Sequence, residues 1–204
     1  MKAGRESDRE KILERKKRQR AEAYSRRRSL TEEERAAKSA AICCFLQEIP
    51  ALCAAETVFS YAASPVEANL DEINQDLTAQ GKKVCFPLCY RDGIMQAVLP
   101  APNDPQAWRR GAFGIREPVL ERSSVVAPEE IDVVLVPCVA FDDRGGRCGH
   151  GKGYYDRFLE GISPNTPKIL IAFDAQKTDE VAMEETDVRM DLVVTEKGIN
   201  AIQK

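Results

Sequence analysis

Histidine is almost absent from this 204-residue chain: His150 is the only one. Structural and catalytic zinc sites draw on histidine and on cysteine groups of set spacing, and neither pattern occurs. The seven cysteines form no C-x-x-C pair, and their odd number excludes complete pairing within one chain. Cys43, Cys44, Cys53, Cys85 and Cys89 sit among apolar neighbours. Buried free thiols in a reducing compartment are therefore expected. No apolar run approaches the length that spans a bilayer. The charged N-terminus lacks the apolar stretch of a signal peptide. These absences lead to the expectation of a cytoplasmic protein that does not engage membranes.

What is present suffices for a core. Apolar residues make up 43% of the sequence, enough for one packed domain over 1–204. The net charge of −3 is unevenly spread: Met1–Arg28 carries +7, leaving −10 for the remainder. Such a basic arm can meet RNA, a membrane surface or a small polyanion, or be a helix with a solvated charged face.

Arg5–Arg28 has good helix formers and no proline, but little apolar periodicity. It predicts an exposed helix that leans on the domain through Ile12, Leu13 and Tyr24. Thr31 followed by Glu34 fits a capping box, so a second helix should start near Glu32. Ala37, Ala41, Cys44 and Phe45 then recur on one face. "TVFSYAA" has the pattern of a strand and "VEANLDEINQDLTAQG" that of a helix, with Gly81 at its C-terminal cap. "KVCFPLC" and "IMQAVL" flank Asp92-Gly93, a hairpin signal. Leu99–Pro128 is rich in Pro and Gly and predicts an irregular excursion. "IDVVLVP", "KILIAF" and "DLVVT" read as strands, the first apolar enough to be buried on both faces. The alternation predicts a layered α/β/α domain, Rossmann-like, with a mostly parallel central sheet and an N-terminal helical arm.

The chemistry concentrates in Gly145–Arg157, "GGRCGHGKGYYDR". Gly146, Gly151 and Lys152 match the spacing of a P-loop, but Gly153 stands where that loop needs Ser or Thr for Mg²⁺. Seven residues also separate the loop from the strand ending at Pro137, whereas a P-loop follows its strand directly. Glycines still let backbone N–H groups turn toward an anion. Arg147, His150 and Lys152 add donors, and "YYDRFLE" should open a helix behind them. Asp156 is a candidate cation ligand, because Mg²⁺ favours one or two carboxylates plus phosphates. The plainer alternative is a glycine-rich turn with solvated charges.

"VPCVAFDDRGGRCGHGKGYYDRFL" closely resembles the signature of the 5-formyltetrahydrofolate cyclo-ligases, also called methenyltetrahydrofolate synthetases. Lesser resemblances run through "LTEEERAAKSAAI", "YAASPVEANLDEI", "FGIREP" and "ETDVRMDLVVTE". Cys148 replaces a usual leucine, and His150 stands where relatives often carry Arg or Tyr.

The resemblance implies an ATP- and Mg²⁺-dependent enzyme that closes 5-formyltetrahydrofolate to 5,10-methenyltetrahydrofolate, releasing ADP and phosphate. Transfer of the γ-phosphoryl to the formyl oxygen turns a poor leaving group into a good one, and N10 then attacks the activated carbon. It implies that Arg147, Cys148, Gly149, His150, Gly151, Lys152, Gly153, Tyr154 and Tyr155 wrap the ATP phosphates, with Arg147 and Lys152 steadying the transferring group. His150, Gly151, Lys152, Gly153 and Tyr154 would also touch the folate. Glu67 would accept pterin N–H groups, and Ala62 would line that pocket. Asp156 and Asp187 would hold Mg²⁺. Lys16 and Arg20 would contact ATP, although "KILER" at Lys11–Arg15 competes for that role. Apart from the resemblance, Glu67 reads as a charge favoured at a helix N-terminus.

The partners expected are therefore small molecules, with no nucleic acid, and the chain is expected to act as a monomer. A nucleotide-binding regulatory module, or a small-molecule kinase, on the same fold remains the alternative.

Overall fold

The computed structural model describes residues 2–111 and 114–203, with side chains from residue 9 onward. Phe113, which opens the expected "FGIREP" turn, lies outside the described residues. Helix α1 spans Lys2–Arg28 and α2 spans Glu32–Gln47. The capping box is formed: Glu34 N–H donates to the Thr31 hydroxyl, and the Glu34 carboxylate accepts from Thr31 N–H. A short α3 (Pro50–Ala54) leads into β1 (Thr57–Phe59), α4 (Asp71–Ala79), β2 (Lys83–Cys89) and β3 (Met95–Pro100). The excursion contributes β4 (Trp108–Arg110), β5 (Arg116–Pro118) and β6 (Ser123–Val126). Then come β7 (Val133–Pro137), a small hairpin of β8 (Ala140–Phe141) and β9 (Arg147–Cys148), and α5 (Tyr154–Glu160). The chain ends with β10 (Lys168–Ile171), β11 (Leu192–Thr195) and β12 (Gly198–Ala201).

The main sheet among the described residues runs β12-β11-β10-β7-β1-β2-β3-β6. Its central strands are parallel, and β12, β3 and β6 are antiparallel additions at the edges. Successive side chains along a strand point to opposite faces. Val58, Val133, Leu135, Ile169 and Val194 thus pack with Ile42, Leu46, Leu52, Ile73 and Leu77 from α2, α3 and α4. Phe59, Val134, Val136, Leu170 and Val193 pack with Phe158 and Leu159 of α5 on the other face. The layered α/β/α arrangement expected from the sequence is the one observed.

Four local expectations are corrected. The inward face of α2 is Ser39, Ile42, Cys43 and Leu46, while Ala37 and Cys44 are exposed. Burying Ile and Leu releases far more apolar surface than burying alanines, so the bulky stripe sets the rotation. Strand β1 stops at Phe59, and the chain turns across the top of the sheet with Tyr61 O–H donating to Ala68 C=O. Helix α4 starts only at Asp71, four residues beyond Glu67. Of the five cysteines expected to be buried, Cys44, Cys53 and Cys89 are exposed; Cys43 and Cys85 are buried, and all seven are free.

Strands β2 and β7 lie on opposite sides of β1, so the chain reverses its direction of sheet growth there. In open α/β sheets, the crevice beyond the carboxyl ends of the strands at such a point is where ligands bind.

Candidate active site

That crevice holds a cavity of about 500 Å³. Tyr61 and Ala62 enter it from beyond β1, Phe86, Pro87 and Cys89 from β2, and Pro137 from β7. Its roof is α1. The helix is anchored by Lys16, Gln19, Ala23 and Arg27, which are buried at helical spacing, whereas Leu13 is exposed. Of the expected anchors Ile12, Leu13 and Tyr24, Tyr24 packs half-buried against Ala23, Val139, Ala140, Cys148 and Val181, and Ile12 is half-buried; the stripe that is fully buried is mostly polar. Gln19 shows how polar groups serve: its Nε2 donates to Glu180 C=O and its Oε1 accepts from Ala182 N–H. Arg26 donates to the carbonyls of Ala175 and Lys177.

The β8–β9 hairpin fills the gap between β7 and the glycine loop. Buried Asp142 fastens its turn by accepting from the N–H groups of Arg144 and Gly146, and ties it to Val181 N–H. Gly145 has φ +75°, and a Cβ there would lie 2.6 Å from Met190 C=O. The loop then crosses beneath α1, where Arg20 Nε donates to Gly149 C=O at 2.8 Å. Gly151 and Gly153 take φ +90° and +66°. Among the described residues, no acceptor is hydrogen-bonded to the backbone N–H groups of His150, Gly151, Lys152 or Gly153. The Lys152 ammonium likewise makes no ion pair among the described residues. A cluster of free donors beside cationic side chains is the composition of an anion-binding nest.

Two carboxylates face this loop. Asp156 Oδ1 accepts from buried Arg147 Nη2 at 2.6 Å and from Val188 N–H. Asp187 Oδ2 accepts from Lys16 Nζ at 2.5 Å and from Glu184 N–H. The second oxygen of each carboxylate has no hydrogen bond among the described residues. Lys16 also reaches Glu184 at 2.8 Å. Burial pulls the Lys16 ammonium toward its neutral form, but Asp187 and Glu184 outweigh this and its pKa is raised. Burial, with smaller contributions from Cys89 and Glu67, raises the Tyr155 phenol well above its ordinary range, and its hydroxyl has no partner among the described residues.

Glu67 stands at the opposite wall. Its Oε2 accepts from Ser64 N–H at 2.9 Å, and its Oε1 faces His150 Nε2 at 3.3 Å. Arg27 lies 3.8 Å from the same Oε1. Burial pushes this carboxyl up, but His150, Ser64 and Arg27 together hold it below its ordinary value. Glu67 lies in a turn, so the helix-terminus account of its charge fails.

Lys16, Arg20, Ala62, Glu67, every residue of Arg147–Asp156 and Asp187 all line this one cavity. Neither Lys11 nor Arg15 of the competing register lines it, and Arg15 makes an exposed contact with Glu180 at 3.4 Å. The sequence reasoning missed Glu184, Arg157 and Arg27. Arg157 braces the loop by donating to the carbonyls of Lys152 and Gly93. Glu184 stands three residues before Asp187 and immediately precedes the "ETDVRMDLVVTE" stretch, so its proximity was legible there.

A family model described as the 5-formyltetrahydrofolate cyclo-ligase family matches residues 12–196. The chain belongs to this family. A 5-formyltetrahydrofolate cyclo-ligase of Mycolicibacterium smegmatis is 33% identical over 153 residues, 72% of this chain and 77% of that protein. One from Escherichia coli K12 is 29% identical over 173 residues, 83% of this chain and 94% of that protein. The NMR structure of Aquifex aeolicus 5,10-methenyltetrahydrofolate synthetase superposes with a TM-score of 0.79 at 30% identity, covering 93% of each chain. The family resemblance and the α/β fold expected from the sequence are both borne out. No helix among the described residues of this cyclo-ligase family member is long and apolar enough to cross a membrane.

Proposed function

We propose that this protein is an ATP- and Mg²⁺-dependent 5-formyltetrahydrofolate cyclo-ligase, a cytoplasmic enzyme acting as a monomer on small molecules. One observation carries the reading: residues from Lys16 to Asp187, predicted from the family signature, converge on a single cavity at the switch point of the sheet.

The γ-phosphate of ATP lies against the free N–H groups of His150–Gly153, with Lys152 and Arg147 stabilising the charge of the transferring group. Lys16 and Arg20, held by α1, close over the nucleotide. The formyl oxygen takes the γ-phosphoryl group as its bond to the β–γ bridging oxygen breaks, N10 forms a bond to the activated carbon and loses its proton, and the C–O bond breaks with that proton carried off by the departing phosphate. The products are ADP, phosphate and the methenyl compound. Holding both ligands in one enclosed cavity converts an intermolecular encounter into an oriented one.

Asp156 and Asp187 would hold Mg²⁺ through their unpartnered oxygens. Among the described residues no cluster of three such donors exists. That donor set fits an ion that keeps water and substrate phosphates for the rest of its shell. When bound, the ion would neutralise phosphate charge.

The test is direct. Incubation with 5-formyltetrahydrofolate and MgATP should produce the absorbance of the methenyl product together with ADP. Equal phosphate release with and without the folate would sink the reading and favour a plain ATPase.

A further inference from the structure

Arg27 is among the most deeply buried side chains of the fold, at 1% exposure, and it is a cation. Its Nη1 donates to Cys138 C=O at 3.3 Å, its guanidinium lies over the Tyr24 ring at 5.2 Å, and its Nε has no partner among the described residues. Such burial costs several kcal/mol unless a counter-charge is near. The carboxylate that offers one is Glu67, reached from α1 across the cavity wall. Among the described residues Glu67 is the one carboxylate within ion-pair distance of Arg27.

We propose that Arg27 is a positioning residue, acting through Glu67 to keep its carboxylate aimed into the cavity as the acceptor for substrate N–H groups. The inference rests on the proposed folate role of Glu67. The two neighbours of Oε1 differ in exposure. His150 is half-exposed and its Nδ1 faces the Tyr24 hydroxyl at 2.5 Å, so a substrate donor arriving at Oε1 need displace only the 3.3 Å contact of Nε2. Arg27 is locked and stays. Ser64 N–H holds the other oxygen in register. Arg27 thereby makes the last turns of α1 part of the folate wall, just as Lys16 and Arg20 make its middle part of the phosphate wall.

The groups facing Glu67 are Arg27 and Tyr24 from α1, Tyr61 beyond β1, Cys138 beyond β7, His150 in the loop and Tyr155 in α5. Of these, Arg27 is a permanent cation, and removing it lets Glu67 take up a proton at higher pH.

The experiment measures KM for 5-formyltetrahydrofolate and for ATP from pH 6 to 8 in the parent, Arg27→Met, Arg27→Lys, Glu67→Gln and Arg27→Met/Glu67→Gln. Arg27→Met should raise the folate KM progressively as pH falls, up to about tenfold per unit below the new Glu67 pKa, and leave the ATP KM within about twofold. Arg27→Lys should retain the parent's pH profile. Adding Arg27→Met to Glu67→Gln should change folate KM by no more than about twofold, because one acts through the other. A pH-independent loss shared equally by both substrates, or full additivity in the double variant, would overturn the inference. So would a parent-like folate KM in Arg27→Met. Should Arg27→Met not fold, Arg27→Lys decides alone: an acid-side rise in its folate KM overturns the charge-based role. An unchanged folate KM in Glu67→Gln removes the underlying role of Glu67, a failure distinct from that of Arg27.

Discussion

Lys16 and Asp187 are separated by 171 positions, yet the ammonium meets the carboxylate at 2.5 Å inside the molecule. The contact closes α1 over the cavity and ties it to the segment before β11. Nucleotide affinity and the docking of α1 are therefore expected to share residues.

Lys16→Ala should raise the KM for ATP and also lower stability, by about 1–3 kcal/mol, because two acceptors lose their donor. An exposed arm would have predicted no stability loss. Paired thermal melts and ATP kinetics distinguish the two. Arg15→Ala, whose contact is exposed, should change neither by a measurable amount.

Acid should weaken the same clamp. The Glu184 carboxyl is held below its ordinary value, chiefly by its hydrogen bond from Lys16, and Glu67 is lowered too. Groups with depressed folded-state pKa values stabilise above their unfolded pKa and lose that contribution as pH falls through the folded value. The melting temperature should hold from neutral pH to about 5 and fall below about 4.5, where unfolded carboxylates take up protons. Lys16 carries the opposite sign: its raised pKa stabilises below about 10.5 and the contribution is lost above it. Melts across pH 3–11 should show both losses, and Lys16→Met should flatten both limbs. Unaltered limbs in that variant would refute the assignment.

Glu67→Gln should weaken folate binding by about 1–3 kcal/mol, or roughly 5- to 150-fold. An amide presents one donor to a substrate donor where the carboxylate presented acceptors. ATP binding should be untouched. Titration calorimetry with each ligand reads both arms, and equal folate affinity would return Glu67 to a purely structural role in its turn with Ser64.

Asp156→Asn should collapse turnover and also lower the unliganded melting temperature, because buried Arg147 loses its counter-charge. Higher Mg²⁺ should restore part of the activity. The amide still accepts from Arg147, so geometry is kept and charge is removed. Near-normal turnover at limiting Mg²⁺ would exclude a metal role.

Gly145→Ala offers a stability defect outside the cavity. It combines a left-handed backbone with a Cβ 2.6 Å from a carbonyl oxygen. The backbone term alone costs about 1–2 kcal/mol. At roughly 2–4 °C per kcal/mol for a chain of this size, the melting temperature should fall by about 2–8 °C or more. The folate and ATP KM values should stay near the parent's at temperatures where the variant is folded.

The sequence by itself determined the sheet, the loop and the family. Apolar runs such as "VVLVP" and "KILI" have few other uses than buried parallel strands, and glycines spaced around Lys152 have few uses other than a close backbone approach. The resemblance also pointed to the loop residues of the cavity, because Arg147–Asp156 are continuous in the chain. Tertiary structure decided how α1 is held. Its anchoring stripe is Lys16, Gln19, Ala23 and Arg27, and no apolar periodicity marks it. A polar side chain is buried only where a partner waits, and those partners lie at Cys138, Glu67 and residues 180–187, forty or more positions away in every case. Helix periodicity reports on apolar surface and says nothing about charges that will meet across the fold. The same reason governs Glu67. As a residue in the chain it looks like one more exposed helix-start carboxylate; only the packing of α1 against the sheet encloses it with Arg27 and His150.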